Sequence, residues 1–470
     1  MKQNIKKNTI FHAIFLTFLT IITGCKSTQS EKATAITLER YETLEDEPFY
    51  SQNYASFTEK TLPNGIPVII KKSVNQKEAG LRILIESDAN STNIKKTGLE
   101  ELTLDLMKHG SKKYSDLYIS SLQYTDQAVF TYSTKNDWCE YGFTCPKEKI
   151  AEVLDIFAET FLIPALDETT FNELVDEKEK ILLNEEISPS YCLLKDVYME
   201  LSKSDIYFAP KRYTTKTEIF YSDVKKCHES FLNAKRIRII ATGNFNDDDV
   251  KALYSKINEN FAAIGSYSFK KKEPKIASVD FASMTEKVKY TKSDKFNSSH
   301  IIGVYNIPKP CSDDYIKYAL LSLYLDDMLY SEIKEKNNLA SDAGTGTITG
   351  YTNLGIVSIS NVQSIKNMSH EIYEYIIANL NTEQSQKKID GYKRVYTSFV
   401  LMSELSVLQT LNQMATSLIY TGDAKEYIKR PYKISKITAE DFSLSFQSTV
   451  GEGVLWFMTN FNFCHIDQSI

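Results

Sequence analysis

The sequence predicts an α+β chain built as two tandem domains, and three observations predict it. At 470 residues the chain exceeds one ordinary hydrophobic core. Its candidate strands and helices lack the strict strand–helix–strand alternation of a doubly wound sheet. The order strand, helix, two strands, helices, strand then recurs in the second half, as an old duplication would leave it. With 42% apolar and 25% charged residues the composition is that of a globular chain.

Met1–Gly24 reads as a targeting segment. Lys2, Lys6 and Lys7 precede the apolar run "IFHAIFLTFLTII", which is too short to span a membrane stably. The ending "ITGC" resembles a bacterial lipoprotein box. That resemblance implies cleavage before Cys25 and lipid attachment to it, in the bacterial cell envelope at the periplasmic face or cell surface. A plain secretory signal with a chance cysteine is the alternative. Residues 25–55 are polar and acidic, without a stable period, and read as a tether with roughly 30 Å of coil reach.

The N-terminal domain is assigned to residues 56–267. "LPNGIPVII" gives a turn followed by a β-rich run, and "GLRILIES" a second strand. "TGLEELTLDLMKHG" is a helix, "AVFTYST" and "EYGFTCP" are strands, and "KEKIAEVLDIFAETFL" is an amphipathic helix. "ETTFNELVDEKEKILLNEEI" is an acidic helix, "RIRIIATGNF" a strand, and "DDDVKALYSKINENF" a helix with an acidic start. A basic, proline-containing break at 268–284 is read as the linker. In the C-terminal domain, 285–470, "HIIGVYNI" (strand) precedes "YALLSLYLDDMLYSEIKEK" (helix). "GTGTITGY" and "LGIVSIS" are strands, "HEIYEYIIANL" and "YKRVYTSFVLMSEL" helices, and "GVLWFMTN" a late strand.

The net charge of −6 moves to −9 when the signal and its three lysines are removed. An acidic chain with dispersed lysines argues against nucleic acid as a partner. Cys139, Cys145, Cys192, Cys227, Cys311 and Cys464 show no close metal-type spacing. Cys139 and Cys145 flank "EYGFT" and could bridge, or stand as isolated half-buried thiols. No serine- or cysteine-nucleophile constellation appears, and His228, His300, His370 and His465 are scattered.

Thr97–Gly110 carries the functional question. Thr97 and Glu100 form a capping-box pattern, Leu99, Leu102 and Leu106 a core stripe, and Lys108 and His109 suit the negative helix end. Gly110 suits a left-handed stop. Leu104 is left over. At about 100° per residue it points away from that stripe, between Glu101 and Asp105.

The chain resembles the M16 peptidases, the pitrilysin, insulinase and mitochondrial processing peptidase family. The resemblance rests on "LPNGIPVII", "LIPALDETTFNELVDEKEKILLNE", "ATGNFNDDDV" and "EIKEKNNLASDAGTG", in order and spacing. It implies two tandem domains, each a mostly antiparallel sheet covered by helices. The family's site helix reads G-L-x-H-x-x-E-H-x-x-x-x-G. On this sequence Gly98, Leu99 and Gly110 match, while the two histidines fall on Glu101 and Asp105 and the catalytic glutamate on Leu104. The third ligand falls on Glu185, with Glu186 as the register alternative. The substrate-contacting arginine and tyrosine of the second domain fall on Lys334 and Ser341.

Zinc prefers imidazole nitrogens beside a carboxylate, and water activation needs a base; leucine cannot accept a proton. No catalytic residue, metal ligand or cofactor is therefore expected. The leading reading is an inactive M16-like lipoprotein that binds peptides or unfolded polypeptide, or serves as the non-catalytic partner of an active M16 chain. One alternative is an active metallopeptidase with altered ligands, for which alone zinc would be needed. The other is a structural envelope lipoprotein without peptide binding.

Overall fold

The computed structural model describes residues 56–74, 76–87, 94–185, 188–209, 217–268, 279–281, 283–286, 288–291, 299–310, 312–331, 342–347, 352, 354–362, 386–441 and 454–459. The signal segment, Cys25, the tether up to residue 55 and the expected helix at 370–380 lie outside them.

The first half forms β1 (Phe57–Thr61), β2 (Pro67–Lys72), β3 (Glu78–Glu86), β4 (Val129–Thr134), β5 (Trp138–Pro146) and β6 (Ile237–Gly243). They make one sheet in the order β1-β2-β6-β3-β5-β4. Only β2 and β6 run parallel; every other neighbouring pair is antiparallel. The Asn64-Gly65 turn joins β1 to β2, with Gly65 at φ 92°, where a side chain would be strained.

The second half forms β7 (Val288–Thr291), β8 (Ser299–Asn306), β9 (Asp342–Thr347), β10 (Leu354–Val362) and β11 (Val454–Thr459), in the order β7-β11-β8-β10-β9. Again one pair is parallel, β7 with β11, and the rest antiparallel. Without β1, the two sheets match strand for strand in order and sense. The duplication expected from the element order is thus written in the pairing.

Helices cover both faces of each sheet. In the first half they are α1 (Leu99–Lys108), α2 (Asp116–Thr125), α3 (Ile150–Leu162), α4 (Glu168–Glu185), α5 (Pro189–Ser204), α6 (Tyr221–Phe231) and α7 (Asp247–Phe261). The second contributes α8 (Asp313–Leu329), α9 (Gln386–Ser403), α10 (Val407–Thr421) and α11 (Arg430–Ser435). Strand alternation splits β3: Leu81, Ile83 and Ile85 join the core beneath α3 and α7, while Leu84 faces the other way.

That other face is covered from the far half of the chain. Val407, Leu411, Met414 and Ala415 of α10 pack on Ile69, Leu84, Trp138 and Ile240. Reciprocally, Leu193, Val197 and Leu201 of α5 pack on Ile302, Val304, Leu455 and Phe457 of the second sheet. A buried polar pin joins the halves: Arg82 Nη1, which donates to Glu140 Oε2 of its own sheet at 2.8 Å, also donates to Asn412 Oδ1 at 2.6 Å. The halves therefore interlock, which a cut at 268–284 does not convey. Within that expected linker, Val279 and Phe281 are buried against the second sheet.

Cys139 and Cys145 are free and sit six residues apart on β5, about 20 Å along an extended strand. A disulfide needs Cα atoms within about 7 Å, so the bridge considered from sequence does not form. Among the described residues no helix is long and apolar enough to cross a membrane.

Candidate functional site

Helix α1 lies beneath the edge strand β4 and between the first sheet and helices α4 and α6. Its two apolar faces have different neighbours. Leu99, Leu102 and Leu106 meet Phe171 and Leu174 of α4 and Val224 of α6, the core stripe read from sequence. Leu104 and Met107 enter the main core of the sheet, where Leu104 is fully buried. The side chain left unexplained by the stripe is thus the helix's contact with the sheet.

The expected capping box does not form. Gly98 starts the helix at φ 79°, and no side-chain cap is made. The Thr97 hydroxyl lies 3.1 Å from that of Thr217 instead. Gly110 does take a positive φ, 118°, and a Cβ there would meet the Tyr114 carbonyl oxygen at 2.7 Å. His109 Nδ1 lies 3.1 Å from Asp116 Oδ1, so the histidine closest to the site is spent on the start of α2.

Glu101 and Asp105, one turn apart on α1, are brought together as sequence predicts. Between them stands a group that sequence reasoning missed. Lys178 of α4 places its Nζ 2.8 Å from Glu101 Oε1 and 3.3 Å from Asp105 Oδ2. Lys108 Nζ lies 3.1 Å from the other Asp105 oxygen. Tyr132 of β4 hydrogen-bonds to Asp105, with Lys108 Nζ 5.2 Å from its ring centroid. Burial alone would raise the Asp105 carboxyl. The Lys108 and Lys178 charges and the Tyr132 hydrogen bond outweigh it and hold the group below the usual carboxylate value. Burial pulls Lys178 down, but Glu101 and Asp105 raise its ammonium above its ordinary value. Burial and Asp105 together push the Tyr132 phenol up.

Each carboxylate of the cluster is paired with an ammonium: Glu101 with Lys178, and Asp105 with both Lys178 and Lys108. The cluster does not fit zinc. Imidazole nitrogens are missing at both helix positions, and an ammonium occupies hydrogen-bonding distance of both carboxylates. A cation would have to displace Lys178 and leave it buried without its partners. The base position, Leu104, is core. Among the described residues no group of three or more His, Cys, Asp or Glu is arranged to hold a metal ion.

The other predicted positions are less informative. Glu185 ends α4, but its side chain, and all of Glu186, lie outside the described residues, as do Lys334 and Ser341. His228 Nε2 bonds the Phe161 carbonyl at 2.8 Å and His300 Nδ1 lies 3.0 Å from Ser190 Oγ, both buried. The spacing of Lys178, seven residues before Glu185, carried no signal by itself. Only the packing of α4 on α1 brings it to the carboxylates.

A family profile described as "Peptidase M16 inactive domain" matches residues 219–396. No curated protein sequence matches the chain. Among solved structures, a protease from Helicobacter pylori is similar at TM-score 0.75 and 16% identity, over 86% of this chain and 99% of that one. A peptidase M16 inactive domain from Pseudomonas fluorescens is similar at TM-score 0.74 and 13% identity, over 87% and 100%. The periplasmic protease PqqL from Escherichia coli gives TM-score 0.68 and 12% identity, over 86% of this chain but 45% of that one. These likenesses describe the fold, which is that of the M16 proteins.

Proposed function

We propose that the chain is a degenerate member of the M16 peptidase family and that it holds polypeptide without cutting it. It does so alone or as the non-catalytic partner of a zinc-bearing M16 chain. The observation that carries this reading is the Lys178 ammonium seated between Glu101 and Asp105. Both carboxylates of the centre are paired with ammonium groups, and leucine stands where the family's base falls.

The lip of the site supports polypeptide as the ligand. β4 is the outer strand of its sheet, and among the described residues only β5 pairs with it. An extended peptide can add there through main-chain hydrogen bonds, directly above α1. Leu117, Tyr124 and Val129 are exposed on α2 and at the start of β4, apolar surface beside that edge. The envelope location is supported by the signal segment and by the periplasmic setting of PqqL, and attachment by the "ITGC" box at Cys25.

A photo-crosslinkable unfolded peptide tests the reading. Saturable binding, with the peptide recovered intact and cross-linked within Val129–Thr134, is the expected result. Cleavage by the purified chain, or cross-links only elsewhere, overturns it.

A further inference from the structure

The turn between α9 and α10 has a composition unlike the rest of the surface. Met402, Leu405 and Leu408 are 63%, 59% and 42% exposed. Val395, seven residues before Met402 on α9, is exposed too. Across residues 401–409, "LMSELSVLQ", the single charge is Glu404, and it is turned inward. Its carboxylate pairs with the buried Lys71 ammonium and accepts from the Tyr427 hydroxyl at 2.6 Å. The tip is left apolar and uncharged.

The β2–β3 loop adds to the same patch. Gln76 Nε2 donates to the Glu404 carbonyl at 3.1 Å and lies 3.0 Å from Thr410 Oγ1, pinning the loop to the turn. Two residues earlier, Val74 is 82% exposed, and Lys77 beside it is exposed as well. Exposed apolar side chains on the turn and on the loop pinned to it, with no outward carboxylate on the turn and the exposed Lys77 and Glu78 offsetting each other at the rim, suit a lipid surface.

The chain's own path selects that occupant. The segment from Cys25 joins the fold at Ser56, whose carbonyl accepts from Lys72 N at 2.8 Å. Phe57 pairs with Lys71 on β2, and its ring centroid lies 5.9 Å from Lys71 Nζ, the group that holds Glu404. The point where the tether enters is thus one side chain away from the apolar turn.

We propose that Val74, Met402, Leu405 and Leu408 form a membrane-docking tip that seats the folded body on the lipid surface beside its anchor. The proposal rests on the lipid-anchored reading given above. A lipid anchor at the end of a polar segment holds the body near the bilayer without fixing its orientation, and a second apolar contact on the body fixes it. Docked this way, the body would hold a fixed orientation to the bilayer.

The test uses the full chain on vesicles of phosphatidylethanolamine and phosphatidylglycerol containing a dibrominated phosphatidylcholine. Trp138 and Trp456 are buried and give a constant background. Leu405→Trp and Val74→Trp are compared with Leu117→Trp, exposed on α2. At least twofold stronger quenching at 405 and 74 than at 117 is expected. Equal quenching at all three overturns the proposal. Absence of lipid quenching with an emission blue shift on raising protein concentration also overturns it, in favour of a protein partner at the turn. Incorporation of labelled palmitate at Cys25 is read separately. Without it the anchor reading fails, and the same quenching comparison on chain mixed with preformed vesicles still decides the tip.

Discussion

Replacing Lys178 by methionine removes the charge at the centre and keeps most of the side-chain volume. Lys178 Nζ lies 2.8 Å from Glu101 and 3.3 Å from Asp105. At an effective dielectric near 20, each attraction amounts to about 5–6 kcal/mol before desolvation is subtracted. The three side chains are 15%, 22% and 9% exposed, so that subtraction is large. Deleting one member of a fully buried pair costs about 3–5 kcal/mol, chiefly through the charge left behind. Residual solvent contact at Glu101, and Lys108 at 3.1 Å from Asp105, reduce this to roughly 2–3 kcal/mol. For a cooperative unit of about 400 residues, the two halves being interlocked, that is a fall in Tm of roughly 2–4 °C. Differential scanning calorimetry of Lys178→Met measures it. Adding Glu101→Gln and Asp105→Asn should recover most of the loss, because the stranded charges go with their partner. Unchanged Tm in Lys178→Met, or a triple variant less stable than the single one, refutes the reasoning.

Three further outcomes are expected. Leu104→Glu, which restores the family's base by name, should cost about 3 kcal/mol or more by burying a carboxyl in the sheet core, and peptide assays should show no gain in hydrolysis. Gly110→Ala should lower stability by about 1–3 kcal/mol in chemical denaturation, because φ 118° and the Tyr114 carbonyl leave no place for a Cβ. Burial lowers the His300 imidazole from 6.5 to about 4, favouring its neutral form between α5 and β8. Its contribution is complete above pH 6.5 and is lost as pH falls toward 4, by at most roughly 3 kcal/mol. His300→Gln should flatten that part of the stability profile, whereas Asp105, held below 3.8, acts only in stronger acid.

Much of the fold was legible because its strands are strongly patterned. "LRILIE" alternates between two buried faces, and "NDDDV" begins α7 with Asn246 capping Asp248 and Asp249. The interlocking was not legible. Nothing in "VLQTLNQMATSLIYT" says that its apolar side lies on a sheet some 160–340 residues earlier in the chain. The same limit applied at the site. The matches at Gly98, Leu99 and Gly110 located the helix, and the substitutions at Glu101, Leu104 and Asp105 were plain in the text. The lysine that answers the two carboxylates was not, because it is set by how α4 crosses α1. Spacing within one helix predicts neighbours at one turn; a contact between helices 70 residues apart depends on tertiary packing.

The most direct test of a charge-filled centre is metal content. The full chain is incubated with excess zinc, desalted, and analysed by inductively coupled plasma mass spectrometry. With Lys178 seated between Glu101 and Asp105, retained zinc should fall far below one ion per chain. One tightly held zinc per chain, lost in Glu185→Gln, would contradict the account.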